Sequence, residues 1–410
     1  MSMAPYRSYP KSSRLALAVA LAAPLWGLAV PAGTELELRL KSKVSSNASK
    51  AKDPVEAILL APVVVGGQFL VPAGATVKGI VEEARASAAA NERAVLGITF
   101  YEIDVGGKKL KIDASVKAVD NARESVAADT GQILGIIASE TLSGRLESGI
   151  GRVAQKYSGL AGVLEAAKST VVKAPEAEIV YEPGVEMTLK LNKPLEVAAA
   201  PAGVGPHLEP IPGEDALVRL VVKQPFQTAA QSPPKPSDMT NLMFVGTEEE
   251  LHKAFAEAGW STAAALSAQS KMETFRAIAE QRGYKEAPVS ILLLDGKPPD
   301  QVFQKQNNTF AMRHHLRIWL RPDTFRGRPV WVCAATHDTG IEFSEQNRTF
   351  IHKIDPEIDR ERAKVVNDLL LTGLVRSLAL VTRPSVPTQS QNATGDKLIT
   401  DGSQAVLILK

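Results

Sequence analysis

The hydrophobic and polar positions of residues 30–125 follow a period of two, which predicts β-strands with one buried and one wet face. The clearest example is Glu35–Leu40, where leucine occupies every second position. Gly106-Gly107 predicts a hairpin between two further strands. Additional strand-like runs lie at 57–65, 96–104, 110–113 and 187–191. Repeated short strands of this kind are typical of a β-barrel or sandwich.

A short turn signature precedes three of these strands. Its copies are Pro31-Ala-Gly33, Pro72-Ala-Gly74 and Pro183-Gly184. Proline restricts its own φ angle and glycine accepts a positive one, so each copy predicts a tight turn that starts a new strand.

The pattern changes over residues 128–172, where apolar residues approach helical spacing. These residues are Ile133, Ile136, Ile137, Leu142, Leu146, Ile150 and Val153. The spacing predicts one or two amphipathic helices inserted between strands. Two interpretations stay open: a helical hairpin packed on the barrel, or an element that self-associates or contacts a membrane. Closely spaced glycines favour the second, whereas the charges of the segment oppose complete burial in lipid.

The first 29 residues have the features of a secretory signal peptide. A short basic segment precedes Leu15–Val30, which carries no charge, and Gly27-Leu28-Ala29 supplies a small-x-small cleavage pattern. The apolar run would extend about 24 Å as a helix, less than the roughly 30 Å of a bilayer core. We therefore expect cleavage and export to the periplasm, the outer envelope or the medium, with a retained N-terminal anchor as the alternative.

Residues 199–238 are rich in proline and alanine, which predicts a stiff linker after a barrel domain at 30–198. Within the linker, Leu217–Val222 has the composition of a lone strand.

Residues 239–375 combine helical and strand patterns and predict an α+β domain. Thr247 and Glu250 form a capping box at the start of a helix over 248–258. Asp355-Pro356 predicts the start of a last helix, with the aspartate as N-cap. A second helix is expected at 270–282, strands at 242–245, 289–294, 312–320, 329–336 and 340–343, and a tail with a short hairpin at 376–410. The fold class is thus multidomain, an all-β barrel or sandwich with a helical insertion followed by an α+β domain.

Composition restricts the function further. Forty-seven basic and 45 acidic residues give a formal net charge of +2, which argues against a nucleic-acid partner. A single cysteine excludes an intrachain disulfide and a cysteine-rich zinc site. The expected partners are other envelope proteins or a second copy bound through the barrel, a small anionic ligand, and a membrane at the helical insert.

The residues best suited to catalysis or ligand binding lie between 305 and 359. On a strand, Arg313, His315 and Arg317 point to one face and His314 to the other. The candidate ligand-binding residues are Lys305, Arg313, His314, His315, Arg317, His337, Asp338, His352, Asp355 and Asp359. No phosphate-binding loop, dinucleotide-binding loop or nucleophile elbow accompanies them, so no catalytic residue is assigned.

Three hypotheses compete for these side chains. In the first, a divalent metal that activates water is bound by His315, His337, His352 and Asp338, with Asp355 or Asp359 as further donors. In the second, Lys305, Arg313, Arg317 and the histidines form a pocket for a phosphate or carboxylate group. In the third, the polar groups are structural: they cap helices, pair with one another and satisfy buried backbone atoms.

Several motifs that follow one another over residues 242–373 resemble the C-terminal domain of LssY-like proteins, a family found in bacterial envelopes. The motifs are Phe244-Val-Gly246, Ala258-Gly259-Trp260, Asp295-Gly-Lys-Pro-Pro-Asp300, Arg313-His-His-Leu-Arg-Ile-Trp319, Gly327-Arg-Pro-Val-Trp-Val332, Ala334-Ala-Thr-His-Asp338 and Ile354-Asp-Pro-Glu-Ile-Asp359. The resemblance implies an envelope location and no specific activity.

Residues 31–197 resemble the β-barrel of TrbI-type conjugation proteins, through the repeated Pro-Ala-Gly turns and the glycine-rich insert before a last Pro-Gly strand. That resemblance implies a scaffold in the cell envelope. The leading hypothesis is therefore a non-enzymatic exported envelope protein, in which a barrel scaffold carries a domain that binds a ligand or partner. The alternative is a metal-dependent hydrolase that acts on a phosphorylated envelope lipid or glycan through the His/Asp cluster.

Overall fold

The computed structural model describes residues 28–141, 144–145, 176–197, 207–231, 234–262, 290–305, 312–344 and 349–410. The strands of the N-terminal part are β1 Leu28–Val30, β2 Glu35–Leu40, β3 Val44–Ser45, β4 Pro54–Leu59, β5 Val63–Val65, β6 Gln68–Val71, β7 Thr76–Arg85, β8 Val95–Val105, β9 Lys108–Val119, β10 Ser125–Val126, β11 Ile133–Leu134, β12 Val180–Tyr181, β13 Glu186–Leu191 and β14 Leu195–Val197.

The C-terminal part contains three helices within the described residues, α1 Glu214–Val222, α2 Glu248–Glu257 and α3 Ile358–Leu371. Its strands are β15 Gln227–Ala230, β16 Pro236–Met239, β17 Leu242–Val245, β18 Ser261–Thr262, β19 Leu292–Leu293, β20 Gln301–Lys305, β21 Arg313–Phe325, β22 Arg328–Ser344, β23 Thr349–Ile354, β24 Val375–Thr382, β25 Gln389–Gln391, β26 Lys397–Ile399 and β27 Ser403–Leu409. Among the described helices, none combines the length and the apolarity needed to cross a bilayer.

Six antiparallel strands of the N-terminal part close into a barrel. Each of β2, β4, β7, β8, β9 and β13 pairs with two of the others, in the circular order β2-β4-β7-β8-β9-β13. The alternation in β2 puts Leu36, Leu38 and Leu40 into the core beside Phe100. The predicted barrel is therefore confirmed, and the three turn glycines Gly33, Gly74 and Gly184 have the positive φ angles that the signature requires.

The predicted helical insert is wrong at its beginning. Ile133–Leu134 forms strand β11, which pairs with β10 and β8, and Ile133 is fully buried in the barrel core. Short apolar runs fit either period, and here the first residues of β8, Val95 and Leu96, which β9 does not reach, pair with β11. Ala138–Glu140 then forms a single 3₁₀ turn, and residues 142–143 and 146–175, which contain most of the predicted insert, lie outside the described residues.

The predicted lone strand at Leu217–Val222 is also wrong, because these residues belong to helix α1. Leu217, Leu220 and Val221 follow helical spacing and are buried against the central sheet of the C-terminal part. Strand β15 then pairs with β16 and β19. Residues 207–231 and 234–239 are thus folded onto the C-terminal part, which corrects the expectation of an extended linker there.

The C-terminal part is built on a sheet of order β18-β20-β21-β22-β17-β27-β24, with β23 also paired to β22. Helices α2 and α3 pack on one face of this sheet and α1 packs on the other. The predicted α+β class and the capping box of α2 are confirmed. Within this fold, β20, β21 and β22 carry most of the candidate site residues.

Two predicted boundaries in this part are wrong. Helix α3 begins at Ile358 and not at Pro356, and the side chain of Asp355 accepts a hydrogen bond from the Glu357 amide, 2.9 Å away, in the turn before the helix. The tail contains a short antiparallel pair of β25 with β26, but the run from Ala405, which was expected to complete the hairpin, belongs to β27, which lies between β17 and β24 with every residue buried. A continuous apolar run is typical of a central strand that is covered on both faces.

Candidate functional site

Strands β21 and β22 place the candidate residues on two opposite faces of the sheet. Their register pairs Arg313 with Asp338, His314 with His337, and His315 with Thr336. Because side chains alternate along a strand, His315 and Asp338 lie on one face and His337 on the other. The sheet therefore separates His315 and Asp338 from His337, three members of the predicted metal set, and the side chain of the fourth, His352, lies outside the described residues.

On the face that α1 covers, the two arginines form separate buried ion pairs. Arg313 Nε donates to Asp338 Oδ2 at 3.1 Å, and Arg317 donates to Asp238 Oδ2 at 2.9 Å. His315 shares a 2.7 Å hydrogen bond with Thr336. Burial lowers the pKa of Arg317 and raises that of Asp238, although the pair and its neighbours partly offset this effect. Each guanidinium already has a carboxylate partner, so this face does not provide the shared anion pocket that the sequence suggested.

On the opposite face, His314 lies between two carboxylates from different parts of the chain. Its Nδ1 is 2.7 Å from Glu361 Oε2 on α3, and its Nε2 is 2.9 Å from Asp120 Oδ2, directly after β9 of the barrel. Burial disfavours a charged imidazole, but the carboxylates of Glu361 and Asp120 outweigh this and raise the pKa of His314 to about 10. The raised pKa favours the protonated form of His314, and its two contacts connect the two parts of the chain.

His337 stacks on His314, with ring centroids 4.2 Å apart and an interplanar angle of 19°. Its Nε2 is 2.9 Å from Asn121 Oδ1, also from the barrel. Burial and the adjacent charge of His314 lower the pKa of His337, so this imidazole stays neutral. The two histidines thus differ in charge. Their barrel partners, Asp120 and Asn121, are adjacent in the sequence.

A buried ion cluster lies beside the histidine pair. Its members are Arg39 and Glu186 from the barrel, and Lys305, Lys364 and Asp368 from the C-terminal part. We call these five residues the junction cluster. Asp368, which is 1% exposed, receives hydrogen bonds from Arg39, Lys305 and Lys364 at 3.0–3.1 Å, and from the Trp260 indole at 3.0 Å.

Glu186 is the second anion of the junction cluster. Lys305 donates to its carboxylate at 2.5 Å, Arg39 donates at 2.7 Å, and Lys364 also contacts it. Burial opposes the charge of Glu186, but the three cations outweigh it and hold its pKa well below the usual range. Glu186 is therefore held in its charged form, and the ion pairs of the cluster cross the boundary between the barrel and the C-terminal part.

The remaining candidates have structural partners. Asp359 accepts hydrogen bonds from Thr400 Oγ1 and from the Asp401 amide, both at 2.7 Å, and lies 3.0 Å from Arg362. Asp355 holds the turn before α3, as described above. For these two aspartates the geometry matches the third hypothesis, in which the polar groups fix local structure.

Sequence reasoning missed the barrel side of this site. It omitted Arg39, Asp120, Asn121 and Glu186, which lie more than 100 residues before the C-terminal residues that they contact. The C-terminal members left a weak signal, because Lys364 and Asp368 are spaced i, i+4 on one helix. Nothing in the local pattern of β9 or β13 indicates a partner outside the barrel.

The structure defines a β-rich chain in which a closed barrel is joined to an α+β region through buried charges. Residues 222–403 match the family model of the LssY C-terminus, so the expected LssY-like domain is confirmed and extends beyond 242–373 on both sides. No curated protein matches the chain. Among solved structures, ComB10 of the Com type IV secretion system of Helicobacter pylori is 12% identical, with a TM-score of 0.23 over 40% of this chain and 88% of that chain.

Proposed function

We propose that this chain is a non-enzymatic, exported protein of the bacterial cell envelope, in which the barrel is a scaffold and the LssY-like region binds a partner or ligand. The observation that carries the proposal is the use of the strongest polar residues as contacts between the two parts. His314, His337 and Lys305, which a reaction centre would need, bond to Asp120, Asn121 and Glu186 of the barrel.

The physical consequence of these contacts is rigidity. Charges buried on one part have their counter-charges on the other, and a charge left buried without its partner costs about 3–5 kcal/mol, so other docked arrangements of the two parts are disfavoured. A scaffold of this kind holds the LssY-like region in a fixed orientation for its partner. Envelope proteins, or a second copy of the chain, are the partners that this proposal favours.

The competing hypothesis, a hydrolase that acts on a phosphorylated lipid or glycan, needs several of the candidate residues in one cleft. His315 and Asp338 lie on the face of the sheet opposite His337, and the arginines are paired. This separation of the candidate residues favours the scaffold over the hydrolase. Turnover of p-nitrophenyl phosphate by the full chain with divalent ions, lost in His337→Ala, would support the hydrolase instead.

The first prediction concerns location. The sequence of residues 1–29 leads us to expect that, in a Gram-negative host, a full chain with a C-terminal epitope is recovered from the envelope or periplasm without these residues. Cell fractionation and N-terminal mass analysis measure this. Recovery of the unprocessed chain from the cytosol would contradict the proposed export.

The second prediction is that the barrel and the LssY-like region unfold together as one unit. Calorimetry of the full chain is expected to give one cooperative transition, because the junction cluster couples barrel and LssY-like region. Arg39→Met removes a contact to Asp368 and is expected to separate the transition into two. Arg85→Met is the control. It removes an exposed ion pair with Glu83 on the same barrel strand and is expected to leave a single transition. Two transitions in the unaltered chain would refute the rigid scaffold.

A further inference from the structure

The histidine pair at the junction has the donor set of a transition-metal site. One donor atom each from Asp120, His314 and His337 lies within 4.8 Å of the other two. These residues come from the barrel, from β21 and from β22. Imidazole nitrogen and carboxylate oxygen are the donors that Zn²⁺ and neighbouring first-row ions accept, whereas Mg²⁺ and Ca²⁺ prefer oxygen alone.

Glu361 holds the ring nitrogen of His314 that faces away from this group. Its Oε2 lies 2.7 Å from His314 Nδ1, which leaves Nε2 directed at Asp120. Metal-binding histidines commonly have their other nitrogen held by a carboxylate in this way.

Glu361 also has a buried oxygen atom without a partner. The residue is 4% exposed, and its Oε1 has no hydrogen-bond partner among the described residues. A buried carboxylate oxygen left in this state costs free energy. Next to His314, the described contacts therefore leave one buried acceptor atom unsatisfied.

An ion can be accommodated if the His337 ring, which now stacks on His314 and contacts Asn121, turns toward His314 Nε2. Zinc bonds of about 2.0–2.2 Å in a tetrahedral site place donor atoms about 3.3 Å apart. Asp120 Oδ2 and His314 Nε2 are already 2.9 Å apart. The remaining separations must shorten by at most about 1.5 Å, and Asp120 and His337 are only partly buried, so an ion can reach the group from solvent.

We propose that Asp120, His314 and His337 bind one divalent transition-metal ion, of the type of Zn²⁺, at the junction between the barrel and the LssY-like region. The proposal builds on the proposed function, because the ion fastens the same two parts of the scaffold. Binding replaces the Nε2–H bond of His314 by a metal–nitrogen bond, and the proton passes to solvent. The ion then lies between His314 Nε2 and the Asp120 carboxylate, while Nδ1 keeps its contact with Glu361.

The test uses the full chain without a histidine tag, stripped with a chelator and titrated with Zn²⁺ alone. Calorimetric titration is expected to show one ion per chain with a Kd in the micromolar range or tighter, and saturation is expected to raise the thermal midpoint. Co²⁺ in place of Zn²⁺ is expected to give the visible absorption of a low-coordinate site with nitrogen and oxygen donors. Binding weaker than millimolar in the unaltered chain would overturn the proposal.

Variants separate this site from other histidines. His337→Ala and Asp120→Asn are each expected to weaken Zn²⁺ binding at least tenfold. His252→Ala, which removes a partly exposed histidine on α2, is the matched control and retains the affinity. Undiminished binding by His337→Ala, in a chain whose thermal transition shows that it folds, would also overturn the site.

Failure of the proposed metal site can be distinguished from failure of the proposed scaffold. Calorimetry of the metal-free chain reports whether barrel and LssY-like region unfold together, independently of any ion. One transition without Zn²⁺ binding overturns only the metal site. Two transitions overturn the scaffold, whatever the ion does.

Discussion

Replacement of Asp368 by asparagine is expected to lower the free energy of unfolding by about 3–5 kcal/mol. Asp368 is one of the two anions that neutralise Arg39, Lys305 and Lys364 in the junction cluster. Without its charge, three buried cations share Glu186 as their remaining partner in the cluster. Urea denaturation monitored by tryptophan fluorescence measures the loss.

The matched control for this prediction is Asp323→Asn. Asp323 makes the same kind of contact with Lys223, but the lysine side chain of that pair is 56% exposed. Exposed pairs of this sort contribute less than about 1 kcal/mol. Equal losses in the two variants would show that the junction cluster contributes no more than a surface ion pair.

Removal of residues 403–410 is expected to prevent folding of the C-terminal part. Strand β27 pairs in parallel with β17 and antiparallel with β24, so its loss breaks the central sheet and exposes the apolar faces on both sides. We expect the shortened chain to be insoluble or to lose the near-ultraviolet circular dichroism of its tryptophans.

A point substitution tests the same strand in a chain that still folds. Leu407→Ala is expected to destabilise the protein by about 2–5 kcal/mol, because the leucine is fully buried in the core. Leu380→Ala on the neighbouring strand β24 is the control, since Leu380 is 59% exposed and its loss is expected to cost little. A folded, native-like product of the deletion, or equal effects of the two leucine variants, would contradict a central position of β27.

Patterns of local origin were predicted correctly from the sequence. The barrel strand β2 alternates because each second leucine is needed in the core, and the capping box of α2 satisfies its own amides within four residues. The Pro-Gly turns depend only on the φ angles of adjacent residues. In each case the sequence pattern that indicates the structure lies inside the predicted segment.

Errors occurred where a segment depends on distant partners. Leu217–Val222 reads as a strand by composition, but the sheet of the C-terminal part offers an apolar face to a helix there. The Ala405-Val-Leu-Ile-Leu run was expected as the end of a tail hairpin, whereas an open position between β17 and β24 makes it a central strand. Short apolar runs carry too little periodicity to decide between such alternatives.

For the site, the sequence by itself determined which residues of β21 share a face, because alternation along a strand is a local property. It therefore placed His314 opposite Arg313, His315 and Arg317, as the structure has it. Only the tertiary structure decided what those side chains meet. Asp120 and Glu186 reach His314 and Lys305 through the docking of a separate barrel, and no spacing along the chain encodes that contact. Electrostatic partners are chosen by distance in space, and the docking of the two parts sets that distance.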